Sequence, residues 1–109
     1  MNNLRNSVRL IGHLGKDPET KQLEGGNSLA RVSLATREVY KNKNGEKVEN
    51  TQWHNLIGWG KTAELMNTLL KKGKQIVIDG KIVYRTFEDR NGVKRTRTEI
   101  VVSDFVLMG

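Results

Sequence analysis

Two Asn-Gly dipeptides, Asn44-Gly45 and Asn91-Gly92, constrain this chain more than any other feature. Each lies between segments that alternate apolar and polar residues, the strongest short-range signal for a β-hairpin. Lys43-Asn44-Gly45-Glu46 fits a type I′ turn, in which both central residues take positive φ. The flanking strands are predicted over 29–40 and about 48–59, with Ala30, Val32 and Leu34 inward and Arg31, Ser33 and Arg37 outward. The second turn follows Gln75-Ile76-Val77-Ile78 and Lys81 to Phe87, and leads into a last strand over about 95–107. Asp79-Gly80 interrupts the first of these and predicts a bulge or sharp bend. Upstream, residues 5–14 set Val8, Leu10, Gly12 and Leu14 against Arg9, Ile11 and His13, and Gly15-Lys16-Asp17-Pro18 breaks that strand at the single proline.

Between the hairpins the period changes. Ala63, Leu65, Met66, Leu69 and Leu70 form one apolar stripe, predicting a helix over 61–72. Thr62 suits its N-cap, Lys71 and Lys72 the negative end of its dipole, and Gly73 its termination. The order β-β-β-α-β-β is an all-β class with one helix. Five short strands leave no open edge if they curl into a small barrel, and one helix can plug an end. At 109 residues, with no Pro- or Gly-rich divider, a single domain over 1–109 is expected.

Several function classes drop out. The chain has no cysteine, which removes disulfides, thiolate metal sites and cysteine nucleophiles and fits a reducing compartment. Met1-Asn2-Asn3 leads straight into the first strand without the pattern of a signal peptide, and no apolar run approaches the ~20 residues of a membrane span. A soluble, cytoplasmic protein is expected. Gly60-Lys61-Thr62 imitates the end of a phosphate-binding loop, but Asn55 stands where that motif needs its first glycine, so a strand-to-helix turn is the better reading. His13 and His54 have no partners at metal-ligand spacing, and the scattered acids form no catalytic arrangement. No metal, cofactor or enzymatic activity is expected; His54 is assigned to packing or an interface.

The aromatic residues carry the positive signal. Tyr84 and Phe105 lie in apolar strands and are assigned to the core or an interface. Tyr40, Trp53, Trp59 and Phe87 instead lie among charged, polar or glycine neighbours, where burial offers little. Tyr40 precedes Asn44 by four residues and Phe87 precedes Asn91 by four, so each hairpin arm carries a ring at a similar height. Trp53 and Trp59 are six apart in one strand and so share a face. Lys41, Lys43 and Lys47 surround one tip, Arg90, Lys94 and Arg95 the other, and Lys61, Lys72 and Arg85 add to the basic set. Nineteen Lys and Arg against twelve Asp and Glu give a net charge of +7, which serves solubility or a polyanionic partner. Exposed π-faces beside cations decide for the second, since an unstacked nucleic-acid strand offers bases to the rings and phosphates to the cations.

These residues resemble a known family. Val8-Arg9-Leu10-Ile11-Gly12-His13-Leu14-Gly15-Lys16-Asp17-Pro18-Glu19, Ser33-Leu34-Ala35-Thr36, Thr51-Gln52-Trp53-His54, Gly60-Lys61-Thr62-Ala63-Glu64, Leu70-Lys71-Lys72-Gly73, Ile78-Asp79-Gly80 and Thr98-Glu99-Ile100-Val101-Val102 follow, in order, the pattern of bacterial-type single-stranded DNA-binding proteins. The resemblance implies an OB-fold, a five-stranded Greek-key barrel with the helix between strands three and four. It places base-stacking aromatics at Tyr40, Trp53, Trp59 and Phe87, with phosphate contacts from Lys41, Lys43, Lys47, Lys61, Lys72, Arg85 and Arg90 as the matching expectation. It further implies sequence-nonspecific binding and protection of single-stranded DNA in replication, recombination and repair, by a cytoplasmic, nucleoid-associated protein. Subunits would meet through Asn6 to Leu14 as a homotetramer, with a homodimer as the alternative. Two rival readings on the same fold are an RNA-binding module, since stacking does not distinguish sugars, and a primosome-type accessory subunit. The sequence departs from the family pattern at positions 40 and 87, often Trp in the family. It also ends at Gly109, directly after the last strand, where typical members continue to an acidic tip; no acidic tail and no tail-mediated partners are expected.

Overall fold

The alternation near the N-terminus forms β1 (Val8–Leu14), whose inward residues grow more buried toward Gly12 and Leu14 while Arg9, Ile11 and His13 stay exposed. The computed structural model describes residues 4–108; Met1-Asn2-Asn3, read above as the lead into the first strand, and Gly109, read as the end of the domain, lie outside the described residues. After Pro18 comes β2 (Glu19–Gln22), then β3 (Ser28–Lys41), β4 (Lys47–Trp59), α1 (Gly60–Leu69), β5 (Gln75–Glu88) and β6 (Lys94–Met108).

The strands run β1-β5-β6-β4-β3-β2, and an additional β1–β3 pairing closes the first five of these that form the ring. Closure leaves β2 as a short flap on β3, pairing Glu19 with Arg31 and Gln22 with Ser28. Sequence reading leaves this flap as loop, because all four of its side chains are exposed and carry no apolar alternation. The helix lies between β4 and β5, that is, between the third and fourth strands of the barrel proper.

Leu14, Val32, Leu34, Leu56, Met66, Leu70, Ile76, Ile78, Ile100 and Val102 fill the interior. Each such side chain contributes about 1.5–3 kcal/mol on full burial. Gly12 and Gly58 are among the close approaches that need glycine. A β-carbon on Gly12 would run into the carbonyl of Ala35 where β1 closes onto β3, and one on Gly58 would strike the Met66 sulfur where the helix lies on β4.

The helix differs from expectation. It starts at Gly60 behind Trp59, with no side-chain cap, so Thr62 is inside it and not its N-cap. It ends at Leu69, because Leu70 takes extended geometry (φ −92, ψ 140) and is 2% exposed, plugged into the core. Lys71, Lys72 and Gly73 therefore belong to the following turn. There the Gly73 N–H donates to the Leu14 carbonyl at 2.8 Å and the Lys72 N–H to Asp17 Oδ1 at 2.8 Å, anchoring the turn to the end of β1. The buried stripe is narrower than predicted, since Ala63 and Met66 face the barrel while Leu65 and Leu69 are exposed.

Both hairpins form, but not with type I′ turns. No residue other than glycine has positive φ among the described residues; Gly45 and Gly92 each have φ 77. In the first, the Asn42 N–H donates to the Glu46 carbonyl, the Asn42 carbonyl accepts from the Gly45 N–H, and the side-chain Oδ1 accepts from the N–H groups of Asn44 and Glu46, both at 2.9 Å. Three loop residues ending in a left-handed glycine replace the two-residue turn, because the Asn42 side chain satisfies the turn's donors. Asp89 does the same, accepting from Asn91 at 2.9 Å and Val93 at 3.0 Å. The predicted irregularity at Asp79-Gly80 is present as a register shift between β5 and β6.

Candidate nucleic-acid interface

One cross-strand row defines the outward face of the barrel. Arg31 in β3 pairs with Ile57 in β4, Ile57 with Val101 in β6, and Val101 with Lys81 in β5. Directly paired residues share a face and every second residue repeats it. Trp53, Asn55 and Trp59 therefore share the outward face with Ile57, Arg95 and Arg97 with Val101, and Arg85 and Phe87 with Lys81. The six-residue spacing of the indoles survives because β3 and β4 pair without interruption from Leu29↔Trp59 to Lys41↔Lys47.

Trp53 is 61% exposed, Trp59 45% and Phe87 42%. The Trp53 ring lies against Gly15: a β-carbon there would be 2.5 Å from its Cζ3. The loop after β1 thus supports the indole on one edge and leaves most of its surface open. Trp59 is the last residue of β4 and directly precedes α1, which puts Lys61 in the first helical turn beside it. Lys72 is in the turn after α1 that is bonded to Leu14 and Asp17, next to the Gly15 that supports Trp53.

The arms carry the remaining predicted residues. Tyr40 pairs with Val48 one step from the terminal Lys41↔Lys47 pair, and Phe87 with Arg95 one step from Glu88↔Lys94, so the two rings do stand at equal height. Their faces differ. Tyr40, 51% exposed, has the parity of Ala30, Val32 and Leu34 and extends the core side of β3 beyond the barrel, whereas Phe87 is outward. Lys41 and Lys47 are outward at the tip with Lys43 in the turn, and Arg90 is in the second turn.

Beside Phe87 and the tip residue Arg95, the structure brings in Thr96, Arg97 and Thr98, which the context argument passes over. An open groove of about 560 Å³ is lined by Phe87, Asn55, Arg95, Thr96, Arg97 and Thr98. A smaller cleft of about 240 Å³ adjoins it through Asn55 and Arg97, and reaches Lys16, Arg31 and Glu99. Strand parity is the signal that finds Arg97, which alternates, like Arg95, with the inward Ile100 and Val102. At the second tip, Arg95 Nε donates to Asp89 Oδ2 at 2.6 Å. This bond, with the N–H groups of Val93 and Asn91, holds the Asp89 carboxyl below the usual carboxylate range.

Tyr84 is 68% exposed and so is not a core residue of this subunit, because its part of β5 runs past the barrel wall; Phe105 is half-buried against the core. His54 is half-buried with Nε2 2.8 Å from Thr36 Oγ1, a packing position. Gly60-Lys61-Thr62 is the strand-to-helix junction. No group of three or more potential metal ligands occurs among the described residues.

A closed five-strand barrel with one helix across its end is the OB-fold, here with an outward face of rings and guanidinium groups. The chain belongs to the single-strand binding protein family, whose model matches residues 5–108. It is 42% identical over 105 residues to the "Single-stranded DNA-binding protein 1" of Chlorobaculum tepidum, covering 95% of this chain and 65% of that protein. The "Single-stranded DNA-binding protein" of Neisseria meningitidis serogroup A is 38% identical over 104 residues, covering 95% and 60%. The chain thus spans less than two thirds of the length of either relative. Among solved structures, the Plasmodium falciparum SSB complex with ssDNA superposes with a TM-score of 0.89 at 30% identity, over 100% of both chains. A deletion mutant of the Thermus aquaticus single-stranded DNA binding protein gives 0.83 at 27% identity, over 95% of this chain and 50% of that one.

Proposed function

We propose that this protein binds single-stranded DNA without sequence preference and holds it open and protected during replication, recombination and repair, by binding and without chemistry. The observation that carries this is the unbroken outward row across β3, β4, β6 and β5, which groups Trp53, Trp59 and Phe87 with Arg31, Arg85, Arg95 and Arg97. Bases stack on the rings, at about 1–3 kcal/mol per base. Phosphates follow these arginines and Lys41, Lys43, Lys47, Lys61, Lys72 and Arg90, each neutralised phosphate adding about 0.7 to the log–log salt slope. Tyr40 meets the strand from the other side of its arm. Duplex DNA has no free base faces to offer the rings and is not a ligand.

Oligomerisation through β1 fits the surface. Ile11 pairs with Val77 and Val77 with Val106, giving an outward apolar row in which Ile11 is 52% and Val106 60% exposed. A homotetramer, or a homodimer, would cover it. No helix among the described residues is long and apolar enough to cross a membrane, and a cytoplasmic, nucleoid-associated location is part of the proposal.

Titration of intrinsic tryptophan fluorescence with oligo-dT at two salt concentrations tests the binding reading. Quenching that weakens steeply with salt is expected. Trp53→Ala combined with Trp59→Ala should weaken binding at least tenfold with thermal unfolding unchanged; unaltered affinity, read by oligonucleotide anisotropy, would sink the platform. Competition by oligo-U at equal strength would favour an RNA module instead.

A further inference from the structure

Among the described residues, Glu99 is the one acid buried on the proposed strand-binding face, 3% exposed in a chain of net charge +7. A carboxylate there opposes phosphate, so electrostatics alone would remove it. Its partners explain its place. Arg85 Nε lies 3.3 Å from Oε1 and Arg85 Nη2 3.5 Å from Oε2, a side-on, two-point engagement. Arg31 Nη1 lies 3.8 Å from Oε2. One acid in β6 thereby holds guanidinium groups from β5 and from β3, which have β6 and β4 between them in the sheet order. Both arginines remain partly open, with side chains 43% and 31% exposed. Engaging Arg85 along its Nε–Nη2 edge leaves the Nη1 side for an outside anion.

We infer that Glu99 is a positioning residue for strand binding: it fixes Arg31 and Arg85 with their free edges outward, so that phosphate meets two guanidinium groups already ordered. This rests on the reading that the outward face binds DNA. Ordering long side chains is a standing cost of association, and a face that has ordered them beforehand binds more tightly. The triad retains one net positive charge, so the acid reduces the attraction without abolishing it.

The inference and simple charge counting predict opposite signs. Glu99→Gln keeps the shape and raises the net charge by one. If Glu99 only offsets charge, oligo-dT binding tightens and its salt slope steepens. If it positions the arginines, binding weakens about 5- to 100-fold, the range for losing order in two such side chains. The salt slope then falls by roughly 0.7 for each phosphate lost. The effect should shrink in an Arg85→Ala background, where there is less to position; an equal loss in both backgrounds marks a purely structural role and overturns the inference. Glu99→Asp should restore part of the affinity. Arg85→Lys guards against a misfolded Glu99 variant: it keeps the charge at an exposed position but cannot be held side-on, and is expected to weaken binding several-fold, whereas wild-type affinity overturns the inference. Arg85→Ala and Arg31→Ala separate the two levels. If neither changes affinity, the outward face is not the binding face; if they weaken binding while Glu99→Gln tightens it, the face stands and the positioning role falls.

Discussion

The two hairpin arms are built alike and equipped differently. Each turn has an Asx residue (Asn42 or Asp89), a basic residue, Asn and Gly, with the Asx side chain accepting two backbone N–H groups and the glycine at φ 77. Each arm carries an aromatic one pair below its tip. The β5–β6 arm then turns its ring to the outward, arginine-lined face and fastens its tip with the Asp89–Arg95 ion pair. The β3–β4 arm turns Tyr40 to the opposite face and fastens its tip with a neutral Asn42. Similar local chemistry thus yields two different contact surfaces, because one residue of strand parity decides which side a ring occupies.

Substitution of the two rings should break this comparison most visibly. Phe87→Ala is expected to weaken oligo-dT binding by about 1–3 kcal/mol, the range for one stacked base. Tyr40→Ala should cost less, since its face lies off the arginine row; equal losses in an anisotropy titration would mean that the strand contacts both faces of the arms alike. The glycines test what the arms share. Gly45→Ala and Gly92→Ala should each destabilise by about 1–2 kcal/mol, because a side chain at φ 77 is strained, and thermal or urea unfolding should give similar values for the two. Asn42→Ala and Asp89→Ala then separate the arms again. Both should speed amide exchange at the two N–H groups they release, with the larger effect at the second tip, where the Arg95 bond is lost as well.

The smallest effect is the dependence on acid. The folded-state pKa of Asp89 is lowered, first by Arg95 and then by the Val93 and Asn91 N–H groups. Its contribution is therefore complete above the ordinary Asp range, about pH 4, and is lost as pH falls through the lowered value. Amide exchange at Asn91 and Val93 should accelerate at the acid end while Asn44 and Glu46, held by a group that does not titrate, follow only the intrinsic rate. Asp89→Asn should remove the difference between the tips.

Much of this architecture was legible in advance, for identifiable reasons. The alternation in 5–14 and 29–40, the Asn-Gly turns and the Asp79-Gly80 bulge are short-range signals, and they located the strand ends to within a residue, except that β1 begins at Val8 and not at residue 5. The helix boundary was misread because Leu70 has helical spacing but is drawn into the core in extended form, a demand that comes from the barrel. The flap Glu19–Gln22 carries no such short-range signal, because all four of its side chains are exposed and polar and none alternates with an apolar partner. Of the two readings for Tyr84, core or interface, the structure removes the core, because an apolar run looks the same whether its strand is inside the wall or runs past it.

The site divides along the same line. Sequence by itself determined that the rings at 40, 53, 59 and 87 have no apolar run to bury them, that the indoles share a face, and that cations surround them, since composition and period two act locally. Only the tertiary structure decided which rows align across four strands, that Phe87 and Tyr40 take opposite faces, and that Glu99 lies buried between Arg31 and Arg85. Those outcomes depend on the registers of β3, β4, β5 and β6 at once. Register is set by closing the barrel around its core, through hydrogen bonds between residues far apart in the chain.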